Sequence, residues 1–441
     1  MKYFNFLHKN KAGVAEKELL NLAQKKNIAV EITHLKEAIE KKYQTEYASI
    51  FLPFDQAMLK TVQSLVQEKK ELGSKILIVV GIGGSNLGTK AVQEAILGRY
   101  YNASNPILKI YFADTVDTDR MSEILRVVKQ ELQQQHGVLI NVVTKSGSTI
   151  ETILNFQILL ALLQKYRPND YQKFVVVTTD KNSKLWDIAH KEKFSVLEVP
   201  KKVGGRYSVF SPVGLFPLSL VGIDIEQLQK GAREAVVHCT NENVDDNPAL
   251  TSALLLYYYY QQNITIHDLF LFSLDLQGIG QWYRQLTGES IGKEYNKEGK
   301  RVMAGITPTV SLGSIDLHSV AQLYLGGPRD KFTTFVTVAQ SKNSVTVPDL
   351  PILNATFPGF AGRTFEEIMD ALVKGTQAAY IKNDRPFCSV ILPEKNAYYI
   401  GQFLQFKMIE IIYLGYLLDV DPFDQPNVEL YKKEARKILN K

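Results

Sequence analysis

The sequence predicts an α/β protein built on doubly wound parallel sheets, and three observations carry that expectation. Short apolar runs of strand length recur, among them Ile76 to Val80 (ILIVV), Gly137 to Val143 (GVLINVV) and Phe174 to Thr179 (FVVVTT). Continuous rather than alternating apolar runs of this length suit strands buried on both faces. Each is followed by a turn rich in small polar residues and then by a segment of helical period, and strands that alternate with helices imply a parallel sheet.

Taken in order, Glu16 to Lys42 is highly charged, with apolar residues at three-four spacing, and predicts helix. Gln56 to Glu71 predicts a second amphipathic helix, after which the composition changes sharply at Lys75. Strand Ile76 to Val80 runs into GIGGSNLG, Gly81 to Gly88, a strand-to-helix glycine turn. Strand Ile107 to Phe112, helix Met121 to Gln134, strand Val138 to Val143, helix Ile153 to Lys165, strand Phe174 to Thr179, helix Ser183 to Lys191 and strand Phe194 to Val199 complete the alternation. Beyond Pro200, the glycine-rich link GGRYSVFSPVG leads into helices through about Tyr260. The strand Leu269 to Leu274 then restarts the pattern as a rough echo of the first half, with a helix-like stretch carrying Glu289 and a loop holding His318. Strand Phe332 to Val338, helices Thr364 to Tyr380 and Lys395 to Leu417, and a C-terminal helix near Val428 follow. Tyr257 to Tyr260 and Gln402 to Leu417 read as packing surfaces, core or interface.

The 441 residues exceed one modest core at about 100 to 200 residues per domain. The expected division is a helical arm at 1–45, a first sheet domain at 46–200, and a second at 201–441 with the C-terminal helix. A formal charge of +5 is small for this length, and no basic run is interleaved with aromatics, so a nucleic-acid surface has little support. Cys239 and Cys388 form no metal-ligand spacing and no disulfide framework, which points to a reducing, cytoplasmic setting. The N-terminus lacks a secretory h-region, and no apolar run reaches membrane-spanning length.

The stretch with the most chemistry is Thr144 to Thr152 (TKSGSTIET). At a helix start it offers backbone N–H groups, several hydroxyls and the Lys145 ammonium, a set suited to a dianionic phosphate. An ordinary helix cap by Ser148 or Thr149, with Glu151 near capping-box position, explains the same residues without a ligand. The GIGGSNLG turn nearly matches a dinucleotide fingerprint, but its last position is Asn86 and the glycine falls at Gly88. With Asp114 available as a ribose-binding acid, a nicotinamide enzyme stays open as an alternative. Both loops lie at strand ends, where parallel sheets bind their ligands.

Five separated motifs in order, GIGGSNLG, TKSGSTIET, GGRYSVFSPVG, QLTGESIGK and DQPNVELYKK, resemble the glucose-6-phosphate isomerase family along nearly the whole chain. The resemblance implies two sugar-isomerase (SIS) domains, each a parallel sheet flanked by helices, and reversible conversion of glucose 6-phosphate and fructose 6-phosphate without metal or cofactor. Carried over by motif, the substrate phosphate falls to Gly84, Ser85, Thr144, Lys145, Ser146, Ser148, Thr149 and Thr152. The proton-shuttling carboxylate matches Glu289, and the arginine that steadies the enediol matches Arg206, with Gly205 beside it. Gln425 and Lys432 match the C-terminal signature, Lys433 being the neighbouring possibility. The chain reads TKSGST and DLH where eukaryotic members read SKTFTT and GQH, closer to some bacterial members, so His318 is assigned to ring opening by position and spacing. Family members are commonly homodimers in which that histidine comes from the partner. A bifunctional phosphoglucose and phosphomannose isomerase, or a SIS protein that binds sugar phosphate without turning it over, are the alternatives.

The residues suit that chemistry. Moving hydrogen from C2 to C1 needs one base that takes a proton from one carbon and returns it to the next, a task for a carboxylate such as Glu289. The enediolate needs a fixed cation, which Arg206 supplies without a metal. Ring opening needs a proton moved between the ring oxygen and the C1 hydroxyl, which His318 and Lys432 could share, with Asp316 and Gln425 to orient them.

Overall fold

The computed structural model describes residues 3–439. The chain starts with a three-residue strand β1 (Asn5–Leu7) and the helices α1 (Glu16–Lys25), α2 (Ala29–Lys41) and α3 (Gln56–Lys70). The helix expected over Glu16 to Lys42 is two helices, because Asn27 takes a positive φ of 49° between them. An Asp55 side chain caps α3 by accepting the Met58 N–H at 2.9 Å.

The first sheet follows the expected alternation: β2 (Ser74–Val80), α4 (Leu87–Leu97), β3 (Lys109–Ala113), α5 (Thr118–Gln133), β4 (Gly137–Val143), α6 (Ile150–Tyr166), β5 (Val175–Thr179), α7 (Lys184–Lys191) and β6 (Ser195–Glu198). Its strands are all parallel, in the order β3-β2-β4-β5-β6. Every residue of the central strand β4 is buried, as an unalternated apolar run requires when helices cover both faces. The carboxyl ends of β2 and β4 are neighbours, so the two turns predicted to bind ligand leave the sheet side by side.

The helices α8 (Pro212–Leu220), α9 (Ile225–Cys239) and α10 (Pro248–Tyr260) lead to the second sheet. There β7 (Ile266–Leu271), α11 (Gln277–Ile291), a small ribbon of β8 (Lys293–Tyr295) and β9 (Arg301–Ala304), and β10 (Thr307–Leu312) come first. The short helix α12 (Ala321–Gly326), β11 (Lys331–Gln340), the short helix α13 (Pro351–Asn354), α14 (Phe365–Lys382) and β12 (Phe387–Glu394) follow. The strand order is β1-β12-β11-β7-β10, parallel except for β1, which adds antiparallel to β12. The first described residues thus complete the far sheet rather than forming only a helical arm. The strands β10 and β12 fall where the sequence pattern gives loop and interhelical connection.

Two long helices close the chain, α15 (Ala397–Leu417) and α16 (Val428–Leu439). Every residue of α15 except Tyr416 is buried, so its apolar circumference is core. Within that core the ion pair of Lys407 and Glu410 spans 2.7 Å, and Glu410 also accepts from Ser252 at 2.5 Å and Tyr283 at 2.8 Å. A buried charge demands this many partners, and the Tyr283 bond fixes α11 to α15. No residue of α16 is buried. Among the described residues, no helix is long and apolar enough to cross a membrane.

Candidate active site

The turn between β4 and α6 is organised from below. Thr144 is buried, and its hydroxyl lies 3.1 Å from that of Thr149. Thr149 occupies the N-cap position of α6, yet its side chain caps no backbone N–H and no capping box forms. The plain capping explanation of this sequence is therefore not realised, and the first N–H groups of α6 stay available. The N–H groups of Lys145, Ser146, Gly147 and Thr149 also find no acceptor among the described residues. Ser146 accepts from both the N–H and the hydroxyl of Ser148, at 3.3 and 3.1 Å. The Thr152 hydroxyl, in a residue only 1% exposed, has no partner. Gly147 turns the chain with φ at +65°, and a Cβ there would lie 3.0 Å from the Leu185 N and 3.1 Å from Ser183. Burial pulls the Lys145 ammonium below the usual lysine range, with Asp180 and Glu46 pulling back. Unbonded donors around a desolvated cation are an arrangement chemically able to hold an anion.

The neighbouring glycine turn carries Ser85 and reaches the other half of the site. A Cβ on Gly84 would fall 2.2 Å from the Gly205 carbonyl carbon and 2.5 Å from the Arg206 N. Only glycine permits this approach at Gly84, which therefore has a packing reason for its identity. The Ser208 hydroxyl lies 2.7 Å from the Gly205 carbonyl oxygen and 3.2 Å from that of Gly84, so its single proton sits between the two turns.

Arg206 is 3% exposed and held on nearly every donor. Its Nε donates to Ser290 Oγ at 2.7 Å, Nη1 to Gln425 Oε1 at 2.9 Å, and Nη2 to the carbonyls of Pro422 at 2.6 Å and Asp424 at 2.9 Å. Nη1 lies 3.6 Å from Glu289 Oε2. Glu289 stands in the last turn of α11, where its other oxygen accepts from Gln285 Nε2 at 3.1 Å. The structure thus brings together Arg206, Glu289, Gln425 and Gly205 beside the Gly84 turn.

Two residues expected at the site stand apart from this cluster. His318 ends the short turn after β10, is exposed, and makes no hydrogen bond or ion pair with Glu289 or Arg206. Lys432 pairs along α16 with Glu429 at 2.7 Å. Asp114, the prospective ribose acid, is engaged otherwise: it accepts from Asn86 at 3.2 Å and pairs with Arg120 at 3.3 Å. That geometry removes the observation that kept a nicotinamide enzyme open.

Sequence reading passed over several residues at the cluster. Gln285 lies four residues before Glu289 on α11, the spacing that puts helical side chains on one face, and Lys293 lies just past the helix end, at the start of β8. Lys293 donates to the Glu289 carbonyl at 2.9 Å and pairs with Asp424 at 2.8 Å, and burial lowers its ammonium against the pull of Asp424. Trp282 donates from its indole to the Arg206 carbonyl at 3.2 Å. Among the described residues no group of three or more His, Cys, Asp or Glu is placed to hold a metal ion.

The model of the phosphoglucose isomerase family matches residues 57–441. The chain is 35% identical over 409 residues to the glucose-6-phosphate isomerase of Carboxydothermus hydrogenoformans, covering 91% of this chain and 87% of that one. It is 32% identical over 434 residues to the glucose-6-phosphate isomerase of Bacillus anthracis, covering 93% and 92%. Among solved structures, a hypothetical protein of Thermus thermophilus superposes with a TM-score of 0.86 at 29% identity over 99% of both chains. A glucose-6-phosphate isomerase of Chlamydia trachomatis shares the fold with a TM-score of 0.83 at 19% identity, covering 99% of this chain and 88% of that one.

Proposed function

The chain belongs to the phosphoglucose isomerase family, and from that membership we infer an aldose–ketose isomerase that interconverts D-glucose 6-phosphate and D-fructose 6-phosphate, a step of glycolysis and gluconeogenesis. The observation that carries this reading to the residues is the placement of Arg206 against Glu289 beside the Gly84 turn, which leaves the sheet next to the strand that ends in the unbonded donors.

In this reading the phosphate sits on the N–H groups and hydroxyls of Thr144 to Thr152, with Ser85 and Lys145. These contacts hold substrate and transition state alike and so set affinity. Glu289, steadied by Gln285, takes the C2 proton and returns it to C1. Arg206 stabilises the enediolate. Four of its five N–H groups are already committed, so its charge needs no reorganisation when the intermediate forms. The same bonds hold Gln425 at the pocket.

We assign ring opening to His318 and Lys432. An exposed His318 outside the Arg206 cluster favours delivery by a second copy of the chain, so that a homodimer builds each site from two subunits. Large apolar side chains left exposed on α16, Leu430, Tyr431, Ile438 and Leu439, are consistent with further burial in such an assembly. Two unpaired buried thiols fit a reducing, cytoplasmic setting. We also keep the division into two sheet domains at 46–200 and 201–441, with 1–45 preceding them, as the organisation behind this site.

A coupled assay of fructose 6-phosphate to glucose 6-phosphate, run with a metal chelator present, tests the reaction and its independence of metal. Turnover unaffected by the chelator is expected. Phosphate-sugar binding without turnover would leave a sensing role instead.

A further inference from the structure

The carbonyls of the phosphate turn are tied down from one side by the end of the neighbouring strand. Thr179, the last residue of β5, is fully buried, and its hydroxyl lies 2.6 Å from the Thr144 carbonyl oxygen and 3.4 Å from that of Lys145. The Asp180 N–H donates to the Lys145 carbonyl at 3.3 Å. The direction of these bonds follows from counting protons. Ser183, the N-cap of α7, accepts the Trp186 N–H at 3.1 Å and lies 2.9 Å from the Thr179 hydroxyl. A carbonyl can only accept, so Thr179 gives its single proton to Thr144 and receives one from Ser183. The chain from the α7 start through Ser183 and Thr179 to Thr144 is thus polarised one way.

In a trans peptide the C=O of one residue and the N–H of the next point to opposite sides. Pinning the carbonyls of Thr144 and Lys145 toward β5 therefore turns the N–H groups of Lys145 and Ser146 the other way, and both are without an acceptor among the described residues. From this geometry we infer that Thr179 is a positioning residue for substrate phosphate, acting through the two peptide groups it orients, with Ser183 as its support. The inference rests on Thr144 to Thr152 being the phosphate site. Thr179 is fully buried beneath the turn, so its effect is confined to the precision of the turn.

The test is Thr179→Val, which keeps the shape and removes the hydroxyl, measured beside Thr179→Ser, Lys145→Ala and the parent enzyme. One lost hydrogen bond corresponds to roughly threefold to tenfold in affinity. The expected result is a rise of that size in both KM for fructose 6-phosphate and the inhibition constant of inorganic phosphate, with kcat changed less than about twofold. Thr179→Ser should restore both. A merely structural role would lower thermal stability without moving the two phosphate-dependent constants together. Should Thr179→Val fail to fold, Ser183→Ala removes the proton that Thr179 receives, and the same paired rise, smaller in size, is expected. A folded variant with unchanged KM and phosphate inhibition overturns the inference. If Lys145→Ala raises KM in that case, only the role of Thr179 falls; if it too leaves KM unchanged, the phosphate site falls with it.

Discussion

The Nη1 atom of Arg206 lies 3.6 Å from Oε2 of Glu289, inside the range of an ion pair and beyond that of a hydrogen bond. The remaining contacts of the guanidinium explain why the gap persists. Ser290, Gln425 and the carbonyls of Pro422 and Asp424 hold the fork so firmly that it cannot collapse onto the carboxylate. A cation fixed near a base without consuming it is what an enediolate mechanism requires.

Arg206→Lys keeps the charge and loses the fork. One ammonium cannot serve Ser290, Gln425 and two carbonyls at once, so kcat should fall by roughly 10² to 10³, the loss typical of a misplaced oxyanion partner. The segment from Pro422 to Gln425 loses its anchor in the same variant, and limited proteolysis should cut there faster. Unchanged kcat would show that the held geometry of Arg206 has no bearing on turnover.

Lys145→Ala combined with Ser146→Ala should raise KM for sugar phosphate far more than it lowers kcat, since in the proposed mechanism these groups hold the non-reacting phosphate. Steady-state kinetics decides this. A KM equal to that of the parent enzyme contradicts the phosphate site.

Burial lowers the Lys145 ammonium in the free enzyme, whereas a bound phosphate dianion favours its charged form. The sign follows: as pH rises through the lowered value the free enzyme loses the charge, so KM climbs on the alkaline side, and binding there takes up a proton. Lys145→Arg, which stays charged, should shift that climb to higher pH. Calorimetry in buffers of different ionisation enthalpy measures the proton uptake, and its absence would disconnect Lys145 from the phosphate.

His318→Ala should lose more activity on the ring-closed substrate than on an open-chain analogue, because the role proposed for it ends once the ring is open. Mixing inactive Glu289→Gln and His318→Ala chains tests where the histidine comes from. If it crosses between subunits, refolded mixtures should recover about a quarter of parent activity, since half the dimers carry one intact site. No recovery would place His318 and Glu289 in the same chain's site.

How far the sequence could be read depended on burial. The run Gly137 to Val143 is unambiguous because it is covered on both faces, and the turn after it inherits its position from that strand. Strand β10, TPTVSL, is only partly buried and begins with a Thr-Pro pair, so neither periodicity nor propensity marks it. Strand β12 is buried, but its eight residues sit between two longer helical patterns. Strand β1 has three residues and exists through its pairing with β12, a contact between the two ends of the chain that no local pattern encodes. At the site, Arg206, Glu289 and Gln425 carry motif signals and are found together. The partners that fix them were legible only in part. The i, i+4 spacing of Gln285 and Glu289 on one helix is visible in the sequence, whereas Lys293 lies past the end of that helix and the carbonyls of Pro422 and Asp424 have no side-chain signature.

The central claim, that one carboxylate shuttles the proton between C2 and C1, is tested most directly by Glu289→Gln followed in deuterated solvent. The amide keeps size and polarity, and the neighbouring Gln285 contact can be re-formed by its oxygen, so sugar phosphate should still bind. Isomerisation should fall by at least the ~10² to 10⁴ that acid–base catalysis commonly contributes, and exchange of the C2 hydrogen with solvent should stop with it. A folded Glu289→Gln protein that still exchanges that hydrogen would contradict the account, because the base would then be another residue.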